Sequence, residues 1–268
     1  MSLRRTLWLS LCSFLTLISV GAADGSSQAL SSEESRMVRF LDAHAEEAVA
    51  FLERIVNINS GTMNHEGVRS VGGIFREELE DLGFATRWVD FPPEVNRAGQ
   101  LFATHSGTRG PRILMIGHLD TVFEETSPFQ RFRREGSEAT GPGVADMKGG
   151  DVVILYALKA LASIGALDEA SIVVALTGEE EAPGMPLSIS RKDLVEAGKW
   201  ADIALGFEGG VREGGVEYAT VARRSSTDWL LEVEGTTGHS SRIFSEELGA
   251  GAVFEAARIL NAFFDEVR

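Results

Sequence analysis

Thiols are all but missing from this chain. Cys12 is the only cysteine, and it lies inside an N-terminal stretch that reads as a removable leader. A disulfide framework and cysteine-ligated zinc are therefore excluded for the mature protein. Cations are also scarce, with 25 Lys and Arg against 40 Asp and Glu and a net charge of −15. Nucleic acid and anionic membrane surfaces both reward clustered cations, so neither is an expected partner. No apolar run reaches the ~20 residues that a membrane span needs. The longest, Leu7 to Val20, follows Arg4 and Arg5 and leads into Gly21-Ala22-Ala23. Those are the three regions of a secretory signal peptide. Residues 1–23 are read as that signal, and the protein as secreted or periplasmic, free of the membrane once cleaved. Leu11, where a lipoprotein would need a small residue before its cysteine, argues against a lipid anchor at Cys12. Loss of Arg4 and Arg5 takes the net charge to −17.

What is present is a globular composition, 44% hydrophobic and 24% charged, organised around the stretch Arg112 to Asp120. Four large apolar residues, Ile113 to Ile116, run from Pro111 to Gly117, as in a strand buried on both faces. His118 and Asp120 follow at its end. Period-two alternation puts them on the same side of the chain, where a histidine and its orienting carboxylate could sit together.

Strand and helix signals alternate around this stretch. Helices are predicted over Glu33–Asn57 (with His44 on the helix face and without a catalytic role), Gly67–Leu82, Gly149–Ile164 and Leu187–Ala197. Ser31 or Ser32 supplies the first cap. Strands are predicted over Ala85–Phe91, Gln100–Thr104, Ser171–Leu176 and Ala201–Gly206. The pattern argues an α/β fold, a doubly wound and mostly parallel sheet. Beyond Gly209 the character changes. Glu217–Val221 and Asp228–Val233 read as a hairpin, Gly235–Ser241 as a loop and Glu246–Phe264 as an amphipathic helix. The expected organisation is a catalytic domain over residues 24–213, followed by an incomplete second domain over 214–268.

Four segments place acid or histidine where a core would not want it. They are His118 with Asp120, Asp146 in a glycine-rich turn (Gly141 to Gly150), Glu179-Glu180-Glu181 after the strand ending at Leu176, and Glu208 before Gly209-Gly210. Each has a plainer reading. His118 could be structural, Asp146 a helix cap, the three glutamates an acidic helix start, and Glu208 a surface acid. All four, however, fall at the carboxyl edge of one sheet, where ligands bind in such folds. Converging carboxylates repel unless a cation neutralises them. One histidine with several carboxylates suits zinc, with manganese or cobalt as alternatives.

The segments Gly-His-Leu-Asp-Thr-Val, Gly-Pro-Gly-Val-Ala-Asp-Met-Lys-Gly-Gly, Thr-Gly-Glu-Glu-Glu and Phe-Glu-Gly-Gly together resemble the dinuclear-zinc metallopeptidases of family M20. That family holds glutamate carboxypeptidases, aminoacylases, dipeptidases and deacylases. The resemblance runs from about Val38 to the chain end. It implies a catalytic domain with two Zn2+ ions, interrupted by a ferredoxin-like lid domain through which the protein would form a homodimer. His118, Asp146, Glu180 and Glu208 resemble metal ligands, with Asp146 bridging and joined to Met147 by a cis peptide. Asp120 resembles the residue that orients His118, and Glu179 the general base. His239 resembles a lid histidine that polarises the substrate carbonyl in a partner subunit. Its plainer reading is an ordinary loop histidine.

The pattern is departed from in three places. Ser240-Ser241-Arg242 follows His239 where small residues and a proline are usual, and Ser225 stands where a glycine is usual after Arg223-Arg224. No residue matches the family's last metal-ligand histidine, so the chain is expected to be the N-terminal part of a longer protein. The resemblance implies hydrolysis of an amide bond in small peptides or N-acyl amino acids, Glu179 passing a proton from water to the leaving amine. The alternatives are a secreted N-acyl amino acid deacylase and a truncated, inactive metal-binding homologue.

Overall fold

A computed structural model describes residues 29–222 and 229–267. The predicted signal peptide, Cys12, and Arg223 to Ser225 lie outside the described residues. The chain divides into two compact units between Gly210 and Val211.

The first unit opens with α1 (Ser32–Ala43) and α2 (Ala45–Val56). Ser31 caps α1 in a reciprocal box with Glu34, each side chain engaging the other's backbone N–H. One continuous helix is predicted here, but the chain breaks at His44. There the ring stacks on Phe40 and Nδ1 donates to the Phe40 carbonyl at 2.7 Å. α3 (His65–Asp81) begins at Asn64, whose side chain accepts from the Gly67 N–H. β1 (Ala85–Val89), β2 (Gln100–His105) and β3 (Arg109–His118) follow. The polar stretch after β3 carries a small hairpin, β4 (Arg133–Glu135) and β5 (Glu138–Thr140). Next come α4 (Lys148–Ser163) and β6 (Ala170–Thr177). α5 (Leu187–Ser190) and α6 (Lys192–Trp200) replace the single predicted helix, with Arg191 at the break. β7 (Ile203–Gly206) ends the unit.

The five-stranded sheet has the order β1-β2-β6-β3-β7. β3 lies parallel to both β6 and β7, while β2 is antiparallel to β6 and β1. Four of the five strands therefore point one way, the mostly parallel α/β sheet that the sequence predicts. Alternation along β6 explains its continuous apolar run, because both faces are covered. Ile172, Val174 and Leu176 pack with Phe51, Val71, Phe75, Leu155 and Leu158 of α2, α3 and α4. Val173 and Ala175 pack on the opposite face with Leu194, Ala197 and Trp200 of α6. Such two-sided burial, at ~25 cal/mol per Å² of apolar surface, makes β3 and β6 a rigid base for whatever their ends carry.

The second unit contains β8 (Val211–Glu213), β9 (Val216–Tyr218) and α7 (Ala252–Val267). The hairpin falls earlier than predicted because Gly214 and Gly215 both take positive φ, as a tight two-residue turn requires. Residues 229–233 form no strand. The last helix starts at Ala252 and not at Glu246, since Gly249 and Gly251 sit at φ +63° and +82°.

Candidate metal centre

The centre lies at the carboxyl ends of the parallel strands of the first unit. His118 ends β3, and its side chain is buried to 1% exposure. Gly117, just before it, has no room for a side chain. A Cβ there would lie 2.0 Å from Oδ1 of Asp151 on α4. The imidazole is held by Asp120 at one nitrogen and faces carboxylates with the other. Nδ1 donates to the Asp120 carbonyl at 3.0 Å and lies 3.4 Å from Oδ1 of the same residue. Nε2 lies 3.0 Å from Oδ1 of Asp146, 3.5 Å from Oε1 of Glu208 and 4.0 Å from Oε2 of Glu180. The three carboxylates are accessible, their side chains 65%, 37% and 52% exposed respectively. One ligand atom each from His118, Asp146 and Glu208 falls within 4.8 Å of the others.

Each carboxylate reaches the cluster from a different piece of backbone. Asp146 stands in the turn before α4, and the Asp146–Met147 peptide is cis. Gly143, at φ +80°, lets that turn close over the stem of Lys148. Lys148 itself is buried, its Nζ donating to the carbonyls of Ile55 and Ile58 at 3.0 Å. Glu208 follows β7, and Glu180 follows β6.

Asp120 is fully buried and works on two segments at once. Its Oδ1 accepts the backbone N–H of Glu180 at 3.0 Å, and its Oδ2 accepts that of Glu181 at 3.1 Å and the Thr62 hydroxyl at 2.7 Å. Burial opposes its ionisation, but the hydrogen bonds from His118 and Thr62 and the His118 charge hold it below the ordinary aspartate range. For His118, burial pulls the imidazole down, yet the bond to Asp120 and the charges of Asp120, Asp151 and Glu208 push it up to about 10. Burial also raises Glu208, with Asp146 and Glu180 adding to the rise. Glu181 is raised in the same way, by burial and then by Asp146.

Glu179 is not among the groups that face this cluster. It is fully buried; Oε2 accepts the Gly184 N–H and Oε1 pairs with Arg191. Burial raises it, against the opposing pull of Gly184 and Arg191. A carboxylate committed on both oxygens cannot take a proton from water in an open cleft. Glu179 is therefore not placed to act as the base expected of it, and the glutamates of this run that are not fully buried are Glu180 and Glu181. Three adjacent glutamates are chemically identical, so the motif alone carried no signal of which one turns inward.

Asp151 was missed by the sequence reading. It is 1% exposed and neither carboxylate oxygen has a hydrogen-bond partner among the described residues. Burial pushes it well above the usual carboxylate range. Its place on the buried side of α4, opposite Gly117, is the signal that could have found it. His239 belongs to the second unit, where its exposed ring accepts the Ser241 N–H at 3.2 Å.

The donor set tests whether a metal fits. One imidazole nitrogen and converging carboxylate oxygens, with no lysine or arginine bonded to Asp146, Glu180 or Glu208 among the described residues, are what a divalent cation neutralises.

Comparison with known proteins identifies the family. The model of peptidase family M20/M25/M40 matches residues 114–261, more than half of the chain. Carboxypeptidase G2 of Pseudomonas sp. (strain RS-16) is 32% identical over 78% of this chain and 49% of its own length. Succinyl-diaminopimelate desuccinylase of Methylocella silvestris is 28% identical over 60% of this chain and 43% of its own. This chain thus spans about half the length of the curated relatives it matches. Among solved structures, human carnosine dipeptidase 1 shares the fold at a TM-score of 0.53 and 18% identity, over 64% of this chain and 40% of the other. A metallo-carboxypeptidase of Sulfolobus solfataricus does so at 0.50 and 20% identity, over 62% and 38%.

Proposed function

Because the chain belongs to peptidase family M20/M25/M40, we propose that it serves amide-bond hydrolysis in an exported dinuclear-zinc enzyme acting on small peptides or N-acyl amino acids. The observation that carries this reading is the buried His118 ring, whose Nε2 meets carboxylates from three separate segments within 3.0 to 4.0 Å. His118, Asp146 and Glu208 would hold one ion, and Asp146 with Glu181 the other. When bound, zinc supplies an acidified water and a polarised scissile carbonyl.

This chain's residues do the rest. Glu180, accessible and with its backbone N–H fixed by Asp120, accepts the proton of the attacking water at a carboxylate oxygen. The same oxygen returns that proton to the nitrogen of the leaving amine. Asp120 keeps the His118 ring turned so that Nε2 faces the carboxylates. His239 of a second copy would donate to the carbonyl oxygen, in a homodimer formed through the second unit. The names of the relatives support either a carboxypeptidase or a deacylase.

The test is a zinc titration against a chromogenic chelator, paired with hydrolysis assays on dipeptides and on N-succinyl and N-acetyl amino acids. Tight zinc binding that His118→Ala and Asp146→Ala both abolish is the expected result. A wild-type protein that binds no zinc would overturn the reading.

A further inference from the structure

Glu179 and Arg191 take no part in the chemistry above, yet they form an ion pair in which Glu179 is fully buried and Arg191 partly so. The loop from Glu179 to Gly184 belongs to no helix or strand. It nevertheless has to present Glu180 and Glu181 at fixed points. Among the described residues, side chains hold it at almost every step. Asp120 takes the Glu180 and Glu181 N–H groups, and Arg97 Nε donates to the Ala182 carbonyl at 2.6 Å. Ser190 Oγ donates to the Gly184 carbonyl at 2.7 Å. Glu179 accepts the Gly184 N–H, tying the two ends of the loop together, and Arg191 clamps Glu179. Arg191 comes from the break between α5 and α6, which points its guanidinium back under the loop.

We propose that the Glu179–Arg191 pair is a positioning device that sets where Glu180 and Glu181 stand, and so governs zinc affinity without touching the metal. This inference rests on the reading of Glu181 as a ligand. Groups that orient metal ligands commonly change affinity by 10- to 100-fold when lost. Glu179→Gln keeps the size and an acceptor for Gly184 but removes the charge that holds Arg191. Arg191→Gln removes the other half, and Arg191→Lys restores the charge.

The experiment measures two things on each variant of the full chain. Hydrogen exchange in the metal-free protein reads the Glu180, Glu181 and Gly184 amides, with the β3 and β6 amides as internal reference. Zinc affinity is read by chelator competition. Glu179→Gln and Arg191→Gln should speed exchange in the loop alone and weaken zinc at least tenfold, with Arg191→Lys recovering most of both. Reference amides that exchange at the wild-type rate show that the variant has folded. Should Arg191→Gln fail that check, Glu179→Gln, nearly isosteric, decides. A loosened loop with wild-type zinc affinity would overturn the proposal, as would an unchanged loop. Zinc failing to bind the wild type while the variants still loosen the loop would instead overturn the metal-centre reading, and this inference with it.

Discussion

Nε2 of His118, buried at the end of β3, lies 3.0 Å from Oδ1 of Asp146, which is 28 residues away at the threshold of α4. A strand end and a helix start thus meet at a single point. Removing either partner should remove the point. His118→Ala and Asp146→Ala are expected to cost at least ~100-fold in zinc affinity. Zinc should then no longer raise the melting temperature, where ~100-fold saturation of the wild type would add ~2.7 kcal/mol. Thermal melts with and without zinc check this; variants that zinc still protects would contradict the ligand assignment.

Glu180→Gln should leave zinc binding within a few-fold of wild type yet lower kcat by ~100- to 10,000-fold, the usual worth of a positioned acid–base group. Retained turnover in that variant would show that another group moves the proton.

The pH dependence of zinc binding has a definite sign. In the metal-free protein His118 is raised from 6.5 to about 10, so at neutral pH it carries a proton that zinc must displace. Affinity should rise by up to ~tenfold per pH unit between pH 6.5 and 8, with a proton released to the buffer. Calorimetry in buffers of different ionisation enthalpy counts that proton, and a count of zero would refute the shift.

Stability without metal should move the opposite way. A histidine whose folded value is raised contributes stability that is complete below 6.5 and is lost as pH climbs toward about 10. Asp151, also raised, slopes in the same direction. Lys148, pulled by burial from 10.5 to about 8, adds the contrary slope only above about 8. Urea midpoints between pH 6.5 and 8 should therefore fall for the wild type, and fall less for His118→Gln. Parallel curves would discount the imidazole.

Gly117→Ala would drive a methyl to within 2.0 Å of Asp151 Oδ1 between two packed elements. A destabilisation of ~1–3 kcal/mol is expected, as for other overpacked cores. An unchanged urea midpoint would mean that α4 can retreat without cost.

Much of this was legible in the sequence because burial and periodicity are local signals. β3 and β6 showed themselves as short apolar runs, and the candidate ligands as a histidine and acids placed where a core would not want them. The breaks at His44 and Arg191 were hidden because the apolar stripe continues across each. The Gly214-Gly215 turn was overlooked in favour of longer apolar segments further on. The register of Glu179, Glu180 and Glu181 was out of reach for a different reason. Which of three equal side chains turns inward depends on partners far along the chain, Arg191 on one side and Asp120 on the other.

β7 gives the centre an unequal foundation. Among the described residues it is hydrogen-bonded to β3 along one side and to no strand along the other, and Ile203 and Leu205 are exposed. His118 stands on a strand flanked on both sides, whereas Glu208 stands on the sheet's margin. Margins fray first. A cation shared by the two would act as a rivet between interior and margin, so that chelation and peeling of β7 become a single event. Protease cleavage within β7 should then serve as a gauge of metal occupancy, quickening as zinc is stripped away.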